Sequence, residues 1–302
     1  MNVYSFAINL NDKISFFNNN QQYLIKNNNI YIEGLFEILD TKISIYKSNK
    51  VVVQGKNATK IMQLYFSNYF TKNNETTQNK QIKTNLDKYD FLIGSDEVGV
   101  GDYFGGLVVC AVSLRPNQTD ILSQLGVDDS KKINDEKIKV LAPKLMEIVD
   151  YKIAQINPEQ YNFLIYKYNN SHVLKTLLHN RALSLLLANK NRNNCYVILD
   201  EFASTKNYYQ YLKTLNEQSV VTIDLFETKA ESKYLCVACA SIIARYYFLK
   251  QIDELSESVN LKLPLGAWNS NIQQTATQLK NKIGFDNLKH YVKLHFKNTK
   301  KI

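Results

Sequence analysis

The sequence has no apolar run approaching the roughly 18–20 residues that span a bilayer, so it does not predict an integral membrane protein. Its first residues, MNVYSFAINLNDK, lack a basic stretch leading into a long apolar one, so no secretory leader is expected. Cysteine is scarce. Four in 302 residues do not build a disulfide framework, and the expected compartment is the reducing cytoplasm. Histidine is equally scarce, and His172, His179, His290 and His295 are scattered, so no Ser-His-Asp or Cys-His arrangement stands out. Cys236 and Cys239 form a C-x-x-C, but Cys110 and Cys195 are lone and no second pair exists for zinc. In an Ala-rich helical stretch that spacing reads as a core face.

What the chain does have is a globular composition, 45% hydrophobic and 22% charged. Its length suits two compact units or one large one. The net charge of +9 fits a polyanion partner such as nucleic acid, although solvated lysines alone would give the same value. The excess is uneven: residues 1–85 carry ten lysines and five acids, and the longer remainder is closer to balance.

The stretch 71–88, TKNNETTQNKQIKTNLDK, has no aromatic residue and only two aliphatic ones, and reads as a linker. It separates a segment at 1–70 from one at 89–302. The first reads as a small α+β unit. Strands are expected at Val3–Leu10, Asn29–Leu35, Lys42–Tyr46 and Val51–Gln54, with a short helix in 11–25 and a turn at Ser48-Asn49. Asn57 is placed to cap a helix over Ala58–Phe70 whose shared face is Ile61, Leu64, Tyr65 and Asn68.

The second segment alternates strand and helix patterns, which predicts an α/β layer structure. Strands are expected at Phe91–Gly94, Leu107–Leu114, Tyr151–Ile156, Tyr196–Leu199 and Val220–Leu225. Helices are expected at Ser171–Asn189, with Leu174, Leu177, Leu178, Leu185 and Leu186 on one face, and at Glu231–Lys250.

Acids stand where these elements meet loops. Asp96 and Glu97 follow FLIGS, Asp200 ends YVIL, and Glu231 opens a helix. Strand ends at one sheet edge are where α/β proteins build sites. Several carboxylates meeting there would repel unless a cation neutralised them. Oxygen donors of this kind suit magnesium or manganese, and two such ions can clamp a phosphodiester. Taken singly, each acid reads better as a solvated loop residue or a cap, and only their joint placement at the ends of apolar segments favours a site. Directly after the first pair comes GVGDYFGG. Its Gly99, Gly101 and Gly105 miss the dinucleotide-loop spacing by one residue, and suit a turn that lets a nucleic acid strand come close.

These residues resemble a known family. IGSDEVGVGDYFGG is similar to the first catalytic motif of type 2 ribonucleases H, in particular the bacterial ribonuclease HIII branch. The likeness continues through DSKKI at 129–133, YNN at 168–170, LLHNRAL at 177–183 and LDEFASTKNYYQYL at 199–212. It extends through TKAESKYLCVACASIIARYYFL at 228–249 and KLHFKNT at 293–299, and more weakly through IYKSNKVVVQGKNA at 45–58. The resemblance implies a ribonuclease H-like mixed-sheet catalytic domain at 89–302. It also implies a substrate-binding N-terminal domain at 1–70 of TATA-box-binding-protein-like α+β fold.

The activity it implies is endonucleolytic cleavage of the RNA strand of RNA–DNA hybrids by Mg2+ or Mn2+, leaving 3′-hydroxyl and 5′-phosphate ends. Asp96, Glu97, Asp200 and Glu231 take the places of the family's catalytic and metal-binding acids. A glutamate at 231 favours the HIII over the HII branch. Gly99, Val100 and Gly101 correspond to the turn that reads the ribose side, where the 2′-hydroxyl separates RNA from DNA. Ser130, Lys131 and Lys132 are expected near backbone phosphates and Lys229 beside the acids. Asn169, Asn170 and His179 are weaker substrate candidates, His179 reading also as a packed core residue. The expected partner is the hybrid, with a monomeric enzyme and no membrane.

Three departures stand out. Val100 and Gly106 replace a small polar residue and a proline common in the branch, and Glu201 replaces a frequent glutamine. Trp268, in LPLGAWNSN, sits in a loop that otherwise resembles the family, and the sequence assigns it no role. Two other readings compete: HII-like action at single ribonucleotides in DNA, and a hybrid-binding module without catalysis. Glu231 and the N-terminal extension argue against the first, and the intact acid set against the second.

Overall fold

The computed structural model describes residues 2–27, 29–69, 86–127 and 133–302. The chain divides into two compact units, Met1–Asn85 and Leu86–Ile302.

In the first unit, strands β1 (Asn2–Ala7), β2 (Leu24–Ile25), β3 (Ile32–Ile38), β4 (Thr41–Tyr46) and β5 (Lys50–Gly55) form an antiparallel sheet in the order β1-β5-β4-β3-β2. Leu39 and Asp40 both take positive φ, which matches the twist of a tight hairpin between β3 and β4. Helices α1 (Leu10–Asn19) and α2 (Ala58–Tyr65) supply Phe16, Ile61 and Met62 to a core with Phe36, Ile43, Val51 and Val53. Alternate residues of β4 and β5 are buried, as expected for a sheet with one covered face.

Two expectations need correction here. Asn57 does not cap α2 with its side chain, which instead donates to Leu39 O at 2.9 Å. The buried face of α2 is Ala58, Ile61 and Met62, while Leu64 is 61% exposed, so the helix is rotated from the predicted stripe. Most of the expected linker lies outside the described residues.

In the second unit, β6 (Phe91–Val98), β7 (Leu107–Leu114), β8 (Asp150–Ile156), β9 (Cys195–Asp200) and β10 (Leu225–Glu227) form a mixed sheet. The order is β10-β9-β6-β7-β8, with β10, β9 and β6 parallel and the β6-β7-β8 ladders antiparallel. Helices α3 (Thr119–Gln124), α4 (Asp135–Ile148), α5 (Pro158–Tyr168), α6 (Ser171–Leu187), α7 (Thr205–Thr214), α8 (Leu235–Ser258) and α9 (Ser270–Ile283) complete it. Every residue of β7 is buried, and its side chains alternate between two cores. Val108, Cys110 and Val112 join α4, α8 and α9, whereas Leu107, Val109 and Ala111 join α5, α6 and α7. Helices on both faces of a central strand are the expected layered α/β arrangement.

Along α6, Leu174, Leu177, Leu178 and Leu186 are buried and Leu185 is exposed. Cys236 and Cys239 are buried on α8 and form no disulfide, as the core-face reading expects. Helix α8 is, among the described residues, the one helix long and apolar enough to cross a membrane by length and composition. That falls against the expectation of no such run, and the physical reason is position: 61% of the window is buried as the central core helix of this unit. Gly94 makes the close seat possible, because a Cβ there would lie 2.5 Å from Val237 N at the start of α8.

Candidate active site

Strand β6 does not stop at Gly94 as expected but runs through Asp96 and Glu97, which pair with Cys110 and Val109 of β7. On its other side β6 is parallel to β9, with Ser95 opposite Leu199. One step further along both strands come Asp96 and Asp200, side by side at the carboxyl end of the sheet. The next strand, β10, sets Glu227 opposite Asp200. The chain then turns through Lys229, whose φ of 56° is left-handed, so that Ala230 N donates to Asp200 Oδ1 at 2.8 Å. Glu231 follows in a 3-10 turn, Ala230–Ser232, ahead of α8 and not inside its first turn as expected.

The electrostatics show the crowding. Burial pushes the Asp96 carboxyl well above the usual carboxylate range, and the charges of Glu97 and Asp200 push it further, against hydrogen bonds from Ser241 and from Glu97 N. Burial also raises Asp200, and Glu231 adds to it, against the Ala230 hydrogen bond. Asp96 and Asp200, each raised by burial and by the charge of neighbouring acids at one edge, are in the state a cation would relieve.

Glu97 is the exception. Burial would raise it, but His179 and Lys175 outweigh burial and hold it well below the usual range. Lys175 Nζ donates to Glu97 Oε1 at 2.7 Å, and His179 Nε2 sits 2.9 Å from Oε2. An ionised carboxylate only accepts, so Nε2 carries a proton toward it, and Nδ1 lies 2.7 Å from Ser95 Oγ. Lys175 also lies 4.0 Å above the Phe202 ring, and His179 stacks on the same ring. His179 is fully buried, so it faces Glu97 and not a substrate. Lys175 went unnoticed in the sequence. The available signal was spacing: residues 175 and 179 are one turn apart on a helix and share a face.

The glycine turn follows Glu97 directly. Gly99 has φ of 110°, and a Cβ there would press on Gly106 O and the Phe248 ring. Gly101 is exposed with open space around it. The Val100 side chain packs partly against the α5–α7 core. A cleft of about 460 Å³ is lined by Glu97, Gly99, Gly101, Ser241 and the Asp135–Arg245 ion pair. Lys293, from KLHFKNT, is buried beneath the loop and donates to Asp102 O at 2.7 Å and Gly105 O at 2.8 Å. Burial lowers its pKa to about 7, against the pull of Asp102.

The remaining predicted residues are dispersed. Asn169 is the left-handed C-cap of α5, and Asn170 caps α6 by accepting from His172 N at 2.9 Å. Both therefore have structural work at the α5–α6 corner. Lys229 is exposed next to the acids. Ser130, Lys131 and Lys132 lie outside the described residues. Among the described residues, no three acid, histidine or cysteine side chains close around one point as a metal-holding group. The donor set nonetheless fits a hard divalent ion in type. It is all carboxylate oxygen, gathered at one sheet edge, with two members destabilised by their neighbours.

Comparison with known proteins shows the family. The family model "Ribonuclease HII" matches residues 93–299, and a domain of unknown function matches 12–81. Ribonuclease HIII of Ureaplasma parvum is 37% identical over 93% of this chain and 92% of its own. Ribonuclease HIII of Streptococcus agalactiae is 41% identical over 93% of this chain and 91% of its own. The crystal structure of Bst-RNase HIII in complex with Mn2+ superposes with a TM-score of 0.69 at 32% identity, covering 99% of this chain and 97% of that one. With a carboxylate edge built from β6, β9 and the turn after β10, and relatives matched over nearly its whole length, the chain belongs to the ribonuclease HII family, in its ribonuclease HIII group.

Proposed function

We propose that the chain hydrolyses the RNA strand of RNA–DNA hybrids endonucleolytically, with two divalent ions, Mg2+ or Mn2+, held by Asp96, Glu97, Asp200 and Glu231. The products are 3′-hydroxyl and 5′-phosphate ends. The observation that carries the reading is the placement of Asp96 and Asp200 on adjacent parallel strands, each raised by burial and by the charge of the other acids. The Mn2+ complex of the relative supports the choice of metal.

When bound, the ions supply positive charge at the scissile phosphate and a water of lowered pKa. The protein's own groups orient the reaction. Lys175 and His179 keep Glu97 ionised and fixed in direction. Ala230 N fixes Asp200. The backbone at Gly99–Gly101 lets the strand approach, with the side chain of Val100 partly turned to the core, so recognition there rests on the main chain. Lys229, Ser130, Lys131 and Lys132 are proposed phosphate contacts, and Asn169 and Asn170 secondary ones. Residues 1–70 are proposed to grip the hybrid, 71–88 to link, and 89–302 to catalyse. We assign a cytoplasmic monomer, in keeping with four buried cysteines that form no disulfide.

The test is a comparison of three labelled duplexes: a long RNA–DNA hybrid, DNA carrying one ribonucleotide, and plain DNA. The hybrid is expected to be cut within its RNA strand, the single-ribonucleotide duplex at least about tenfold more slowly, and plain DNA not at all. Preferential cutting at the single ribonucleotide would establish HII-like action instead. Tight hybrid binding without cleavage would leave a binding module.

A further inference from the structure

Trp268 is the single tryptophan of the chain and is 90% exposed. A large apolar ring left in water is unfavourable unless something covers it. The loop that carries it is tightly held. Leu263 and Ala267 are buried. Gly266 N donates to Asp102 Oδ1 at 2.6 Å, and Tyr103 N donates to Gly266 O at 2.9 Å. Asn298 Nδ2 donates to Ala267 O at 3.0 Å, and Asn269 caps α9 through Ile272 N at 2.9 Å. The indole thus projects from a fixed platform whose anchor, Asp102, is the residue after the Gly99–Gly101 turn.

The surrounding charge states what would cover it. Residues 258–302 contain eight lysines and one acid, Asp286. Lys297, Lys300 and Lys301 are exposed on the segment that Asn298 ties to the tryptophan loop. An exposed aromatic beside exposed positive charge is the combination that holds nucleic acid, the ring taking a base or sugar face and the lysines taking phosphates.

We propose that Trp268 is a substrate contact, packing its indole against a base or sugar of the bound hybrid at the flank of the glycine turn, with Lys297, Lys300 and Lys301 on the adjoining phosphates. This rests on the hybrid being the substrate, as proposed above.

Because Trp268 is the lone tryptophan, it reports on itself. Full-length Asp200→Asn protein, expected to bind without cutting, is titrated with unlabelled RNA–DNA hybrid while tryptophan emission and acrylamide quenching are followed. Binding is measured separately by anisotropy of an end-labelled hybrid. Emission is expected to change on the anisotropy curve, and acrylamide accessibility to fall at least about twofold at saturation. Adding Trp268→Ala is expected to raise Kd about fivefold or more at fixed salt, with Trp268→Phe recovering most of the loss. The proposal is overturned if the hybrid binds while emission and accessibility stay constant and Trp268→Ala binds within about twofold of the parent. It is equally overturned if emission changes with protein concentration in the absence of hybrid, which would assign the ring to a second copy. A parent protein that gives no anisotropy change removes the substrate reading itself, and the tryptophan assignment with it.

Discussion

Replacing Asp96 or Asp200 by Asn is expected to lower kcat on an RNA–DNA hybrid by about three orders of magnitude or more, with hybrid affinity retained. Asparagine keeps the shape and one acceptor oxygen, so Ala230 N still has a partner at position 200. What is lost is the charge proposed to hold a divalent ion. The same crowding gives a second readout. Asp96 is pushed up by burial and by the charges of Glu97 and Asp200, so its ionised form is a burden on the ion-free fold. In EDTA, Asp96→Asn should therefore melt at or above the temperature of the parent. In saturating Mg2+, the parent should gain stability that the variant does not. Near-normal turnover by either variant would remove these residues from the site.

The second large effect is expected at Lys175. Lys175→Met keeps the aliphatic stem but removes the donor to Glu97 Oε1 and the cation above Phe202. Glu97, only 14% exposed, is then left with His179 as its remaining partner on this helix face. Partners that orient a metal-binding group are worth about 10–100-fold in metal affinity or activity. The expected signature is a half-saturating Mg2+ concentration raised about tenfold or more, with activity partly restored by excess metal. His179→Gln should behave in the same way more weakly, because glutamine can still donate. A purely structural role for Lys175 would lower thermal stability without moving the metal dependence, and that outcome would contradict the assignment.

The legible parts of the sequence are those where one physical signal dominates. Strand β7 is buried on both faces, its run LVVCAVSL is uniformly apolar, and its limits were expected to the residue. The misplacements have identifiable causes. Asp96 and Glu97 are polar, so the apolar signal of β6 ends before its ladder does. Val221 and Ile223 are buried and looked like a strand, yet their backbone groups bond to side chains. Val221 N donates to Asn180 Oδ1 and Ile223 N to Tyr209 Oη, and the strand β10 begins only at Leu225. An apolar pattern reports burial and does not report which partner satisfies the backbone.

At the site, residue type and order along the chain exposed the four acids through their family resemblance. Their meeting at one edge depends on the parallel pairing of β6 with β9, which no local signal contains. The network on Glu97 was missed for a similar reason. Lys175 and His179 sit on an apolar helix far from Glu97 in sequence, and burial was the easier reading. The charge distribution also needs redrawing. Residues 1–85 do carry excess lysine, but 258–302 carry a denser excess beside the glycine loop. The region between contains the acids.

The most direct test of the central claim is cleavage of a hybrid labelled on its RNA strand, with the purified protein in Mg2+ or Mn2+, in EDTA, and after metal is restored. The account predicts internal cuts with 3′-hydroxyl and 5′-phosphate ends, abolished by EDTA and recovered with the ion. Undiminished cleavage in EDTA, or RNA ends carrying a 2′,3′-cyclic phosphate, would contradict it.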